Sequence, residues 1–274
     1  MADDAGDAGR SLGTEGFERK SIKPRGVRTV YYEAGTGPTV VYFHGGGAFH
    51  GFQFARPWTE KFRVICPYHP GFGESGDDPL ITGSRELVMH YLDVFDELGL
   101  GKVHLAGASM GGRLAAEFAA SHNDRLKSLI LAAPGGLDVP EHPPANLGAV
   151  APEDFFTTLT NNLAFLAPFI PPAVPEKVFG AARAREGQSA GRIMMSPSTL
   201  EHWMHRITVP TLLVWGKEDK VLPVGRVTAW TNRLPKATTL RIFKDIGHLT
   251  FDESPEAVKV AENFMLSVEQ QQIP

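Results

Sequence analysis

The stretch that decides the fold is Gly-Ala-Ser-Met-Gly at residues 107–111. It follows a short apolar run at residues 103–106, typical of a buried strand, and precedes residues 112–120, typical of the start of a helix. The pattern Gly-x-Ser-x-Gly at such a junction predicts a tight strand-to-helix turn that lifts the hydroxyl of Ser109 out of the sheet. Small residues are needed there because the turn is strained and the two backbones crowd each other. We therefore predict that Ser109 is a nucleophile.

Strand and helix patterns alternate on both sides of this stretch. Short apolar or β-branched runs predict strands, and apolar residues at helical spacing predict helices. The further strands are predicted at residues 27–32, 39–43, 63–66, 126–133, 211–215 and 239–243, and the further helices at residues 84–98, 224–234 and 255–268. Strands that alternate with helices form a mostly parallel sheet covered on both faces, so we predict an α/β fold.

The composition changes between residues 137 and 208, which are rich in proline, aromatic residues and methionine and show no clear strand pattern. We predict that this segment is a helical cap inserted into a core formed by residues 21–136 and 209–274. The chain begins with an acidic stretch rich in glycine and alanine. We predict a flexible tail over residues 1–20, because such a composition buries too little apolar surface to order a chain.

The overall composition is that of a soluble globular protein: of 274 residues, 42% are hydrophobic and 21% are charged. The formal net charge of −4 provides no field that would attract nucleic acid or an anionic membrane. The sequence has no apolar stretch long enough to cross a membrane, and its start lacks the pattern of a signal peptide. The single cysteine, Cys66, excludes an internal disulfide and fits a reducing compartment. We expect a cytoplasmic protein with a small-molecule substrate; a monomer and a homodimer both fit.

Residues 71–76 read Gly-Phe-Gly-Glu-Ser-Gly, which matches the dinucleotide-binding pattern Gly-x-Gly-x-x-Gly. That pattern has to open a helix, whereas Asp-Asp-Pro follows here at residues 77–79. The sequence also has no cluster of cysteine or histidine with the spacing of metal ligands. We therefore expect neither a cofactor nor a metal.

A serine hydroxyl is a weak nucleophile at neutral pH and needs a base, which a third group must orient. Asp219 follows the second-last predicted strand, and His248 follows the last one. Because the carboxyl ends of parallel strands meet at one edge of a sheet, both residues are expected on the same side as Ser109. The neighbouring Glu218 is an alternative to Asp219 as the acid. We predict a catalytic set of Ser109, Asp219 and His248, in the chain order of one particular architecture.

The chain resembles the α/β-hydrolases over roughly residues 27–268. Four patterns carry this resemblance: His-Gly-Gly-Gly at 44–47, Pro-Gly-Phe-Gly-Glu-Ser at 70–75, Gly-Ala-Ser-Met-Gly-Gly at 107–112, and Gly-His at 247–248 before Pro-Glu at 255–256. Their occurrence in this order is more specific than any one of them. The resemblance implies an eight-stranded, mostly parallel sheet flanked by helices, with the inserted segment as a cap.

The resemblance also implies an oxyanion hole. One donor is expected to be the backbone amide of Met110, the residue after the nucleophile, and the other that of Gly46, which best matches the family pattern. His44 is expected to be a structural residue of the same loop. Further residues are predicted to contact substrate: Gly45, Gly47, Phe155, Phe165, Trp203 and Leu249.

We expect hydrolysis of a carboxylic ester, or of a related lactone or amide, through an acyl-enzyme. The similar group that cleaves carbon–carbon bonds in ring-fission products is an alternative, but it usually carries Asn where this chain has Ala108 and Trp where it has Leu249. Cofactor-free haloperoxidases or perhydrolases are another, but they usually have an aromatic residue where this chain has Gly46. Non-catalytic binding proteins of the same fold are the last alternative.

Overall fold

The computed structural model describes residues 12–235 and 237–271. Within these residues, eight strands form one sheet in the order β1-β2-β4-β3-β5-β6-β7-β8. The strands are β1 (Glu18–Ile22), β2 (Thr29–Ala34), β3 (Thr39–Phe43), β4 (Arg63–Pro67), β5 (Val103–Ala108), β6 (Leu126–Ala132), β7 (Thr211–Gly216) and β8 (Thr239–Phe243). Strands β3 to β8 pair in parallel, whereas β2 runs antiparallel to both β1 and β4. The predicted α/β fold with a mostly parallel sheet is confirmed.

Strand β1 corrects the predicted N-terminal tail. Residues 1–11 lie outside the described residues, but β1 begins at Glu18, inside the stretch that we expected to be flexible. Phe17, just before it, is only 3% exposed. The strand escapes a search for apolar runs because it lies at the edge of the sheet and its side chains are mainly polar. It is held instead by pairing with β2 and by an ion pair of 3.1 Å between Lys20 and Glu33.

Helices cover both faces of this sheet. In the described part of the chain the α-helices are α1 (Ser84–Glu97), α2 (Met110–Ser121), α3 (Phe155–Leu159), α4 (Leu163–Leu166), α5 (Glu176–Met195), α6 (Leu200–Trp203), α7 (Val227–Thr231), α8 (Thr250–Glu253) and α9 (Pro255–Gln271). Side chains alternate along each strand, so β3 directs Val41 and Phe43 into one apolar cluster with α1 and α2. It directs Val40 and Tyr42 into a second cluster with α9. Burial of both sets fixes the register of the central strands.

The inserted segment, residues 137–208, lies between β6 and β7 and contains α3 to α6. Its longest helix, α5, is anchored by Arg113 of α2, which donates to the carbonyl oxygens of Ile193 (3.2 Å) and Met194 (3.0 Å). A guanidinium at these last carbonyls offsets the negative end of the helix. None of the helices in residues 12–235 and 237–271 is long and apolar enough to cross a membrane.

Candidate active site

Ser109 occupies the junction between β5, which ends at Ala108, and α2, which begins at Met110. Its φ of 53° is in the left-handed region, which non-glycine residues rarely adopt. Neighbouring backbone holds it there: the amide of Ser109 donates to Ala132 (2.9 Å), and its carbonyl accepts from Gly135 (2.9 Å). The predicted tight strand-to-helix turn is therefore present, and its strain is stabilised by the adjacent strand end.

Two glycines make this turn possible. A Cβ atom at Gly107 would lie 2.3 Å from the carbonyl oxygen of Gly111, and one at Gly111 would lie 2.1 Å from that of Phe43. Both distances are far below van der Waals contact with backbone. The start of α2 approaches β3 and β5 this closely only because neither residue has a side chain.

His248 and Asp219 are brought together from the loops after β8 and β7. Nδ1 of His248 lies 2.8 Å from Oδ2 of Asp219, and both side chains are almost fully buried. The other oxygen, Oδ1, accepts hydrogen bonds of 2.8 Å from the amides of Val221 and Leu222. Asp219, and not its neighbour Glu218, is thus the acid that contacts His248. Because Nδ1 donates to the carboxylate, the neutral imidazole keeps Nε2 as a proton acceptor.

The glycine loop, residues 44–48, lies against the Ser109 turn. A Cβ atom at Gly45 would lie 3.4 Å from Cβ and 4.0 Å from Oγ of Ser109. Met110 is the first residue of α2, and the first amides of a helix have no partner within it. The loop and the helix start therefore meet beside the Ser109 hydroxyl.

A comparison with protein families agrees with the arrangement of Ser109, Asp219 and His248 along the chain. Residues 40–261 match the model of the alpha/beta hydrolase family. The chain belongs to this family. Both the family and the sheet order agree with the resemblance given by the four sequence patterns.

The similar proteins are named for different reactions. This hydrolase is 27% identical over 259 residues to a 2-hydroxy-6-oxo-6-phenylhexa-2,4-dienoate hydrolase of Comamonas testosteroni, covering 86% of this chain and 90% of the relative. It is 31% identical over 223 residues to a poly(3-hydroxyalkanoate) depolymerase of Ectopseudomonas oleovorans, covering 76% of each. Among solved structures, a bacterial membrane phospholipase A superposes with a TM-score of 0.80 at 28% identity, covering 94% of this chain and 88% of that one.

His44 and His69 of the hydrolase form a buried scaffold under the glycine loop. Nδ1 of His44 donates to the carbonyl of Gly45 (2.7 Å), and its Nε2 accepts from the amide of His69 (3.1 Å). His69 in turn bonds the carbonyl oxygen of His44 (3.0 Å) and the hydroxyl of Tyr91. Burial lowers the pKa of His69 to about 3 and holds the pKa of His44 well below its usual value. His44 is thus a buried structural residue of the loop, as we expected, and His69 supports it from outside the loop.

Two of the predicted substrate-contact residues, Gly45 and Gly47, lie in the glycine loop. The other four lie in the inserted segment or contact it. Phe155 lies 3.9 Å under the guanidinium of Arg183, Phe165 lies 6.1 Å from the ring of His50, and the amide of Leu249 bonds the carbonyl of Leu159 (3.3 Å). Phe165 and Leu249 thus make contacts between the inserted segment and the core, whereas Phe155 packs against a residue of the segment itself.

Trp203 lies elsewhere. It is 50% exposed, and its ring centroid lies 6.3 Å from that of His205, which lines a surface depression beside Ser121, the last residue of α2. Ser109 precedes the first residue of this 12-residue helix, so the two ends are about 18 Å apart. The contact of Trp203 with substrate stays a prediction, and its half-exposed position near the far end of α2 does not support it.

Sequence reasoning missed two aromatic residues beside the glycine loop, Phe49 and Phe179. Phe49 packs edge-on against Phe179 (5.4 Å) and Phe156 (6.2 Å). Phe49 follows the glycine loop directly in the sequence, so that proximity was an available signal. Phe179 and Phe156 lie more than 100 residues further on, and the sequence does not connect them to the loop.

It also missed Glu186 of α5 and Glu253 of α8, two buried carboxylates. Glu253 accepts from the amides of Gly247 (3.1 Å) and Asn161 (2.9 Å), and so joins the loop of His248 to the inserted segment. Among residues 12–235 and 237–271, groups of histidine, cysteine, aspartate or glutamate that could hold a metal ion are absent.

Proposed function

We propose that this chain is a serine hydrolase that cleaves a carboxylic ester, or a related lactone or amide, through an acyl-enzyme. The observation that carries the proposal is the buried hydrogen bond of 2.8 Å between His248 and Asp219, at the edge of the sheet where Ser109 turns. A carboxylate that orients an imidazole beside a hydroxyl is the arrangement that activates a serine.

The reaction proceeds in two halves. Nε2 of His248 takes the proton of Ser109 while Oγ bonds to the substrate carbonyl carbon. The same proton then passes to the departing alkoxide, which leaves as the alcohol when the carbon–oxygen bond breaks. A water molecule, deprotonated by His248, attacks the acyl-enzyme, and Ser109 recovers its proton as the acid departs. Asp219 holds the required tautomer and stabilises the imidazolium that forms twice in each turnover.

The amides of Gly46 and Met110 are proposed to stabilise the tetrahedral oxyanion. Gly46 belongs to the glycine loop beside Ser109, and Met110 supplies one of the unpartnered amides of α2. Each such donor contributes about 100- to 1000-fold to kcat in comparable enzymes, because its dipole is already aligned when the charge develops.

The inserted segment is proposed to act as a cap that selects the substrate. Its aromatic residues Phe156 and Phe179, with Phe49 of the core, form an apolar surface beside the glycine loop. Apolar surfaces of this kind accommodate acyl or alcohol chains. Ala108 and Leu249 lack the polar groups that steady an enol acid, which favours esters over ring-fission products.

Carbon–carbon hydrolysis is the second candidate. It is favoured by the dienoate hydrolase among the relatives and by the cationic Arg183, which lies at Phe155 in the inserted segment. A guanidinium there would suit a substrate carboxylate. In this reaction the same residues would act, but the leaving group would be a carbon atom.

The test is hydrolysis of nitrophenyl esters from acetate to octanoate, alongside a vinylogous diketo acid, by wild-type protein and by Ser109→Ala. We expect ester turnover that the variant loses. Faster turnover of the diketo acid than of every ester would instead establish the second candidate. Labelling by a fluorophosphonate provides the control: folded protein in which Ser109 stays unlabelled and no substrate is cleaved would identify a binding protein.

A further inference from the structure

Glu186 is a carboxylate in the middle of α5 that is only 5% exposed. Its Oε2 accepts a hydrogen bond of 3.1 Å from the amide of Ala48, and its Oε1 accepts one of 3.0 Å from the amide of Gly73. The two oxygens of one side chain in the inserted segment thus hold two separate loops of the core. Ala48 is the last residue of the glycine loop.

The same face of α5 lies along the glycine loop. Ala190 is one helical turn after Glu186, and a Cβ atom at Gly46 would lie 3.3 Å from its methyl group. A Cβ atom at Gly47 would lie 3.8 Å from Oε2 of Glu186. The helix therefore contacts the loop at three consecutive residues, 46 to 48, and Glu186 makes the hydrogen bond among these contacts.

A buried carboxylate is a costly way to fasten a helix. Burial raises the pKa of Glu186, while the amides of Ala48 and Gly73 and the charges of His50 and Arg185 lower it. An apolar residue would fill the space without the cost of removing a charge from water. A carboxylate, however, accepts from two amides at once, whereas a glutamine offers one acceptor oxygen and places a donor group against the second amide.

We propose that Glu186 is a positioning residue, which holds the backbone of the glycine loop at the distance from Ser109 that an oxyanion hole requires. This inference rests on the proposed serine hydrolase function. Through Glu186, the docking of α5 on the core becomes a condition for stabilising the oxyanion, and the inserted segment acts on the rate as well as on the choice of substrate.

Arg185 offers a matched control on the same helix. Its guanidinium donates to the carbonyl oxygens of Gly73 (2.9 Å) and Ser75 (2.6 Å), so it fastens α5 to the same core loop as Glu186 does. Its hydrogen bonds and its ion pair with Asp77 are all to that loop and none is to the glycine loop. A variant of Arg185 weakens the docking of α5 and leaves the hydrogen bond to Ala48 in place.

The experiment compares wild-type protein with Glu186→Gln, Glu186→Asp and Arg185→Gln. It measures kcat and KM for a cleaved nitrophenyl ester, the rate at which a fluorophosphonate labels Ser109, and the Tm. For Glu186→Gln we expect kcat and the labelling rate to fall together by about 10- to 100-fold, with KM within about threefold of wild type, because a displaced donor acts on the transition state. Glu186→Asp keeps the charge on a shorter side chain, and we expect its kcat and labelling rate to lie between those of wild type and Glu186→Gln.

Arg185→Gln is expected to lower the Tm and to leave kcat within about threefold of wild type. Equal losses of kcat in Glu186→Gln and Arg185→Gln would overturn the inference, because docking of α5 would then explain both. A wild-type labelling rate in Glu186→Gln would overturn it as well and leave the serine hydrolase standing. Wild-type protein that is neither active nor labelled would remove the proposed function first, and the inference with it.

Discussion

The inserted segment holds two loops of the proposed site, the loop of His248 and the glycine loop, in opposite ways. The loop of His248 is held by Glu253 of the core, which also accepts from the amide of Asn161 in the inserted segment. The glycine loop is held by Glu186 of the inserted segment, which reaches into the core. Glu253 lies five residues after His248 in the sequence, whereas Glu186 lies 138 residues after Ala48 of the glycine loop.

Proton transfer by His248 and stabilisation of the oxyanion by the glycine loop therefore depend on the inserted segment to different degrees. The amide of His248 donates to the carbonyl of Leu159 (3.1 Å), so the segment holds this loop through a backbone group, which any residue provides. It holds the glycine loop through one particular side chain, that of Glu186. We therefore expect the proton-transfer residues to tolerate changes in the segment better than the oxyanion donors do.

The largest effect should come from Asp219, the carboxylate that contacts His248. Asp219→Asn keeps the shape of the acid, but its amide group can present a donor to Nδ1 and favour the wrong tautomer. We expect kcat to fall about 10,000-fold, as in other serine triads. The measurement is ester turnover with a folded variant of wild-type Tm.

Glu218→Gln is the matched control for that variant, because it alters the adjacent carboxylate without touching His248. A loss of comparable size in Glu218→Gln would mean that the acid has been assigned to the wrong residue.

On the side of the glycine loop, Gly111→Ala should destabilise the fold by about 4 kcal/mol, because the new methyl group meets the carbonyl oxygens of Phe43 and His44 at 2.1 and 2.4 Å. Urea denaturation measures this change. Gly101→Ala is the control: a Cβ atom there meets no atom within 4 Å among the described residues. Similar midpoints for the two variants would show that α2 does not need its close approach to β3.

Glu253→Gln tests the support of the loop of His248, as Glu186→Gln tests that of the glycine loop. The amides of Gly247 and Asn161 both donate to Oε2, so the amide oxygen of glutamine can still accept from them, but each hydrogen bond loses its charged acceptor. We expect a loss of about 1 kcal/mol in the free energy of unfolding. We also expect kcat to fall about 10-fold, since the loop of His248 is held more weakly. Glu256→Gln, an exposed neighbour, is the control.

The double variant Glu186→Gln/Glu253→Gln then measures whether the loops are independent. If they are, the two losses in kcat multiply, within about twofold. A double variant no slower than the worse single one would show that both carboxylates act through one shared movement of the inserted segment.

The last effect is absent at neutral pH and appears only in acid. The pKa of His69 is about 3 in the fold and 6.5 in the unfolded chain, so below pH 6.5 the unfolded chain binds a proton that the folded one does not. Stability therefore falls as the pH falls from 6.5 toward 3, by about 1.4 kcal/mol per pH unit for this residue. The slope of the free energy of unfolding between pH 6 and 4 should decrease by that amount in His69→Gln. His202→Gln, which replaces an exposed histidine, is the control. Equal slopes would exclude His69 as an acid-sensitive support of the glycine loop.

Much of the core could be predicted because its signals are local. The strand and helix patterns around Ser109 predicted β5 and α2, and the Gly-rich stretches predicted where the chain turns. Strand β1 was missed because an edge strand with polar side chains has no apolar run to reveal it. The half-exposed position of Trp203 was not apparent, because a short helix has too few turns for its apolar face to be recognised.

The sequence by itself determined the elbow around Ser109, the order of Ser109, Asp219 and His248, and the sheet edge to which parallel strands bring them. These follow from short-range sterics and from a topology that alternation of strands and helices imposes. Only the tertiary structure decided that His69 supports His44 from below and that Glu186 bonds Ala48. Such contacts join residues from distant parts of the chain, and no local pattern encodes which buried polar group will satisfy which amide.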